Sequence, residues 1–200
     1  DMPAGPSEVE VIADESANPA FIAADFLSQA EHGVDSQAML VTASESIVEP
    51  VMQAIREQLD RLPRKEITEK SLSHSRLIVL KDKQEVIDFT NLYAPEHLII
   101  QTTDYADIAG LVENAGSVFM GPYTPESAGD YASGTNHTLP TNGYAKAYSG
   151  VNLDSFIKKI TFQEITADGI RLLGGTIRTM AANEQLDAHK NAVTIRLNTL

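Results

Sequence analysis

Five short apolar runs, each followed by a stretch with helical spacing, constrain this chain more than any other feature. VEVIA at residues 9–13, AMLVT at 38–42, LIVL at 77–80, HLII at 97–100 and SVFM at 117–120 read as strands. Asn18 followed by Pro19 is a helix start, with Phe21, Ala24, Leu27 and Ala30 on one face. That helix is expected to run to about His32 and to stop at Gly33. Ser44 or Ser46 opens a second helix carrying Ile47, Val51, Ile55 and Leu59. Residues 84–92 and 104–113 supply two more. Strands separated by helices of this length form parallel βαβ units. The expected fold is α/β, an incomplete Rossmann-like parallel sheet with flanking helices, plus a small helical C-terminal unit.

Beyond Met120 the character changes. GPYTPESAGDYASGTNHTLPTNGYA is rich in Gly, Pro, Ser and Thr, and a loop of that length is usually functional or disordered. Residues 151–166 carry no clear pattern. The rest reads as two helices with a break near Ala182 and Asn183. The expected division is an α/β domain half over residues 1–150, carrying the functional site, and a small, mainly helical domain over 151–200.

Composition removes several function classes. There is no cysteine, so disulfides, thiolate metal ligands and thiohemiacetal chemistry are unavailable within the chain. A formal charge of −13 repels phosphate backbones, so no nucleic-acid partner is expected. No apolar run approaches the roughly 18–20 residues that span a bilayer. The opening DMPAGPSE has neither a basic nor a hydrophobic stretch, so it is no signal peptide. It starts in mid-turn and reads as a piece of something longer.

The candidate chemistry is dispersed. Gln29 and His32 are three residues apart in SQAEHG, so on a helix they share a face and can reach one ion. Glu96 and His97 follow a proline and precede an apolar run, which places two titratable groups at a strand edge. Asp130 and His137 lie in the long loop, and His189 in the last helix. His74, in SLSHSR, reads as a solvated turn residue. Each has an ordinary structural reading when taken singly. His32 can answer a helix dipole, His97 can be a half-buried strand residue, and His137 and His189 can be plain surface. Asp130 after glycine is common turn chemistry. Ligands of open parallel sheets collect at the carboxyl ends of strands, and His97 begins one. That tension would disappear only if its strand ran against the others.

PAGPSEV, LSQAEHG, APEHL, GPYTPESAGDYASGTNH and NEQLDAHK together resemble the histidinol dehydrogenase family, over essentially the whole chain. The resemblance is to the C-terminal part of longer enzymes that bind most of their NAD through an N-terminal half, and no G-x-G-x-x-G stands in for that half here. It implies oxidation of L-histidinol to L-histidine through L-histidinal, with two NAD consumed and Zn2+ holding the substrate. It implies Gln29, His32, Asp130 and His189 as zinc ligands that also bind substrate. Glu96 and His97 become the acid/base pair, and Ser7, His137 and Glu184 become substrate contacts. His97 would take the hydroxyl proton, and Glu96 would activate the water that hydrates the aldehyde. It also implies a cytoplasmic homodimer whose C-terminal tail crosses to the partner, taking His189 and Glu184 into the partner's site. Residues that contact NAD stay unassigned. Two other readings remain: a zinc-dependent module that binds an imidazole ligand without catalysis, and a structural half-domain with an exposed sheet edge.

Overall fold

A computed structural model describes residue 3 and residues 5–200. Five strands form one parallel sheet: β1 (Glu8–Ala13), β2 (Gln37–Thr42), β3 (Arg76–Val79), β4 (His97–Gln101) and β5 (Ser117–Met120). Their order is β3-β2-β1-β4-β5, so the chain reverses its direction of travel between β1 and β4. This is the doubly wound order without its last strand. The expected α/β class with a Rossmann-like parallel sheet is the one observed.

The helices are α1 (Pro19–Ala30), α2 (Val48–Leu59), α3 (Lys65–Leu72), α4 (Lys83–Tyr93), α5 (Tyr105–Ala109) and α6 (Glu126–Tyr131), followed by α7 (Ala167–Asn183) and α8 (Asp187–Leu197). Alternation along β1 explains the two layers. Val9, Val11 and Ala13 pack with Ile22 and Phe26 of α1 and Val51 of α2. Ile12 packs on the other face with Val86 and Ile87 of α4. Every residue of β1 and β4 is buried, as expected of strands covered on both faces.

Several boundaries differ from expectation. α1 ends at Ala30, where Glu31 donates its backbone N–H to the Leu27 carbonyl at 3.0 Å and His32 donates its own to the Gln29 carbonyl at 3.2 Å. Gly33 is therefore not the cap, and His32 lies in the turn beyond the helix rather than on it. α3 was not anticipated. It is short and polar, and its buried residues are Thr68 and Ser71, so it carries no apolar stripe. α5 stops at Ala109 instead of continuing to residue 113. The Gly- and Pro-rich stretch after β5 contains α6, so Asp130 is helical rather than in an open loop.

The chain divides into two compact units, Asp1–Phe156 and Ile157–Leu200. The second is a hairpin of α7 and α8. Gly174 meets Leu197 there so closely that a Cβ at 174 would stand 2.7 Å from its side chain. The connecting turn lies at residues 184–186, slightly after the expected break, with Gln185 in the left-handed region at φ 59°. Among the described residues no helix is long and apolar enough to cross a membrane.

A candidate acid/base and metal site at the amino edge of the sheet

β4 runs parallel to its neighbours, so His97 lies at their amino ends. The expected alternative, a strand running against the others, is not what occurs. The candidate chemistry simply gathers on the edge that the carboxyl-end rule does not describe. It gathers there because three kinds of ends meet: the starts of β1 and β4, the turn after α1, and α6.

The Glu96–His97 pair is set by one residue of β1. The Glu8 backbone N–H donates to Glu96 Oε2 at 2.8 Å, and the Glu8 carbonyl stands 3.0 Å from His97 Nδ1. A carbonyl only accepts, so Nδ1 carries the proton and Nε2 is turned the other way. Nε2 is buried and has no hydrogen-bond partner, with Asp130 Oδ1 at 3.9 Å. The Phe119 ring, 5.9 Å away, supports the imidazole from the sheet. The main chain enters this corner from Ala94, which closes α4 in the left-handed conformation at φ 57°. Gly116 presses on the same corner, where a Cβ would stand 2.5 Å from the Glu96 carbonyl.

Electrostatics follow from burial. His97 is 3% exposed, and burial alone would oppose its charge. The Glu96 carboxylate, 3.5 Å from Nδ1, and the charge of Glu126 outweigh that and raise it to about 9. Burial pushes Glu126 up to about 7, held back by His97 and reinforced by Asp130. Burial also raises Glu8, against the hydrogen bond its carboxylate accepts from the Asn142 backbone.

Beside this pair, ligand atoms of His32, Glu126 and Asp130 lie within 4.8 Å of one another. A histidine nitrogen and two carboxylates suit a borderline dication such as zinc, and accept manganese or cobalt as well. Gln29, fully buried on α1, abuts Glu126. Thus Gln29, His32, Glu96, His97 and Asp130 come together in the first unit. Ser7 precedes β1, and its carbonyl accepts from the Gln37 N–H at 3.0 Å. His137 is exposed in the segment after α6. Glu184 and His189 are exposed residues of the second unit, at the end of α7 and on α8. His74 is exposed in a turn.

Glu126 was not singled out from sequence. Its signal was its spacing of four from Asp130, which puts the two on one helical face, but only if the glycine-rich stretch is seen to be helical. Gly129 permits that helix to sit against β5, since a Cβ there would meet the Phe119 ring at 2.7 Å.

The family model for histidinol dehydrogenase matches residues 1–197. The chain belongs to the histidinol dehydrogenase family. It is 69% identical over 200 residues to the histidinol dehydrogenase of Bacteroides thetaiotaomicron, covering all of this chain and 47% of that protein. It is 59% identical over 201 residues to the chloroplastic histidinol dehydrogenase of Arabidopsis thaliana, covering 43% of it. Among solved structures, the crystal structure of histidinol dehydrogenase from Elizabethkingia anophelis superposes with a TM-score of 0.92 at 58% identity, over all of this chain and 46% of that one. The chain thus spans about half the length of the relatives it matches.

Proposed function

We propose that this chain supplies the metal-binding, substrate-binding and acid/base part of a histidinol dehydrogenase, an oxidoreductase of histidine biosynthesis that converts L-histidinol to L-histidine through L-histidinal. The observation that carries this reading is the orphaned, buried Nε2 of His97, held toward the metal cluster by the Glu8 carbonyl. Gln29, His32 and Asp130 would hold zinc, with His189 of a second copy as the fourth ligand. Bound zinc would fix the imidazole and amine of the substrate, and two NAD would accept the two hydrides.

This chain's own residues do the proton work. In its unprotonated form, which becomes the major one only above about pH 9, His97 Nε2 removes the hydroxyl proton as the carbinol C–H bond breaks and its hydride leaves, giving the aldehyde. The carboxylates of Glu96 and Glu126 stabilise the imidazolium so formed. Glu96 Oε2 is anchored by the Glu8 N–H, and the remaining carboxylate capacity is suited to activating the water that hydrates the aldehyde. Loss of a second hydride and a second proton from the hydrate then yields the acid. Ser7, His137 and, from a second copy, Glu184 would contact the substrate.

Tail exchange in a homodimer is supported by the second unit itself. Its helices expose Leu172, Leu173, Met180 and Ile195, each more than half accessible, a surface unsuited to water. The cytoplasm is the compartment we propose for it, although the Arabidopsis relative is described as chloroplastic.

The rival reading, a zinc-dependent module that binds an imidazole ligand without turning it over, draws on one observation. The turn after β1, where a doubly wound sheet takes pyrophosphate, is acidic Asp14-Glu15 rather than glycine-rich. Titration calorimetry of L-histidinol into zinc-loaded and chelated protein tests what both readings share. Heat seen only with zinc is expected, and equal binding in both states would overturn the metal assignment. Turnover lost on His97→Ala with zinc retained then selects the enzyme over the module.

A further inference from the structure

Glu126 is 1% exposed and is not among the ligands assigned above. Both its carboxylate oxygens face one end of the Gln29 amide, at 3.0 and 3.1 Å. Whether or not the carboxyl group is ionised, at least one of its two oxygens can only accept, so that end must be Nε2, and Oε1 is the end turned away. The Ser28 hydroxyl, 3.3 Å from Glu126 Oε2, holds the carboxylate from the same helix.

An amide has two ends of nearly equal size, and only the oxygen ligates a dication. Something must decide which end faces the ion. We propose that Glu126 is a positioning residue for Gln29, which fixes the amide so that Oε1 is presented to a bound divalent cation. The inference rests on the metal reading given above. Gln29 is fully buried, so water does not compete for the contact. Because Asp130 lies one turn beyond Glu126 on α6, the same contact ties two prospective ligands from different helices to one spacing. Glu126 stands close enough to His32 and Asp130 to bind the ion itself, and a carboxylate that accepts from an amide keeps lone pairs for a cation, so positioning and direct ligation are separated by how the loss depends on Gln29.

A double-mutant cycle on the full protein decides between positioning and direct ligation. Zinc affinity is read by competition with a chromophoric chelator for the native protein, Glu126→Met, Gln29→Ala and the double variant. Glu126→Met should weaken zinc roughly 10- to 100-fold when Gln29 is present, and by less than about threefold in the Gln29→Ala background. Glu126→Gln, whose carbonyl can still accept from Nε2, should recover part of the loss and also serves if the Met variant does not fold. Equal losses in both backgrounds would mean that Glu126 binds the ion directly, and no loss in either would deny it any role. Either result overturns the proposal while zinc binding that His32→Ala abolishes keeps the metal reading intact. A native protein that binds no zinc overturns both.

Discussion

The two edges of one sheet are built in different ways. At the carboxyl edge, a crevice of about 330 Å³ lies where the chain reverses direction between β1 and β4, the place where doubly wound folds hold dinucleotides. Three of its charged groups, Asp14, Lys83 and Asp104, are engaged locally. Asp14 accepts from the Thr103 backbone at 3.1 Å and from the Ser16 backbone at 2.9 Å, and Lys83 pairs with Asp104 at 2.7 Å. At the amino edge, His97 Nε2 and Glu8 Oε2 are buried without partners, and His97 and Glu126 are displaced from their ordinary protonation behaviour. The crevice leaves one neutral hydroxyl, Thr102 Oγ1, buried without a partner, whereas at the amino edge the unpartnered atoms belong to titratable groups whose protonation burial and neighbouring charge displace.

The widest separation between the edges should appear in turnover. His97→Ala is expected to lower kcat by about 10²–10⁴-fold while zinc content is kept, as measured by steady-state kinetics and metal analysis. Near-normal rates would remove the amino edge as the catalytic one. His32→Ala should weaken zinc by more than the roughly 100-fold that an outer-shell partner costs, in a chelator competition. Subunit mixing sharpens the assignment further. If His189 of one copy completes the site of the other, co-refolding His32→Ala with His189→Ala should regenerate about a quarter of the native sites, since mixed dimers hold one intact site each. No recovery would confine each site to its own chain.

A smaller effect concerns Glu10, fully buried in β1 just inside the amino edge, where the Thr90 hydroxyl donates to it. Burial lifts it from 4.5 to about 8, against that hydrogen bond. The folded state therefore binds this proton more tightly than the unfolded chain does. Its contribution to stability is full below about 4.5 and is lost as pH rises through about 8. Glu10→Gln should leave stability nearly unchanged at pH 5 and raise it by about 1–3 kcal/mol at pH 9, seen by urea denaturation. A gain independent of pH would contradict this. The smallest change belongs to the carboxyl edge. Asp14→Asn should cost about 1 kcal/mol through weakened turn hydrogen bonds and leave kcat within a few-fold. A large loss of turnover there would collapse the distinction between the edges.

The central strands β1, β2 and β4 were legible because strands buried on both faces are largely apolar, and the half-exposed edge strands β3 and β5 were legible because LIVL and SVFM are apolar runs all the same. α3 was not, since KEITEKSL buries small polar groups and shows no apolar period. α6 was hidden for a different reason. Its glycine is there to approach Phe119, yet in sequence a glycine flanked by Pro, Ser and Asp reads as a turn. With α6 went Glu126, whose pairing with Gln29 is a contact across 97 positions that no local pattern announces. Gln29 with His32 and Glu96 with His97 were visible as local pairs and Asp130 as a lone carboxylate, but only the family resemblance joined the three to one another. Spacing alone suggested that His32 shares a helix with Gln29, and the helix in fact ends first.

The hold of Glu8 on the acid/base pair has a consequence for how such a sequence can drift. Its N–H grips Glu96 and its carbonyl grips His97, and neither atom belongs to a side chain. Replacing the residue at position 8 leaves both grips in the polypeptide, so the pair is insulated from ordinary point substitution at that position. It is exposed instead to insertion or deletion. One residue gained or lost at the head of β1 would exchange the peptide that faces β4 and turn every side chain of the strand to the opposite layer. Codon changes at that position are therefore cheap for the pair, and frame-preserving indels just before it are not.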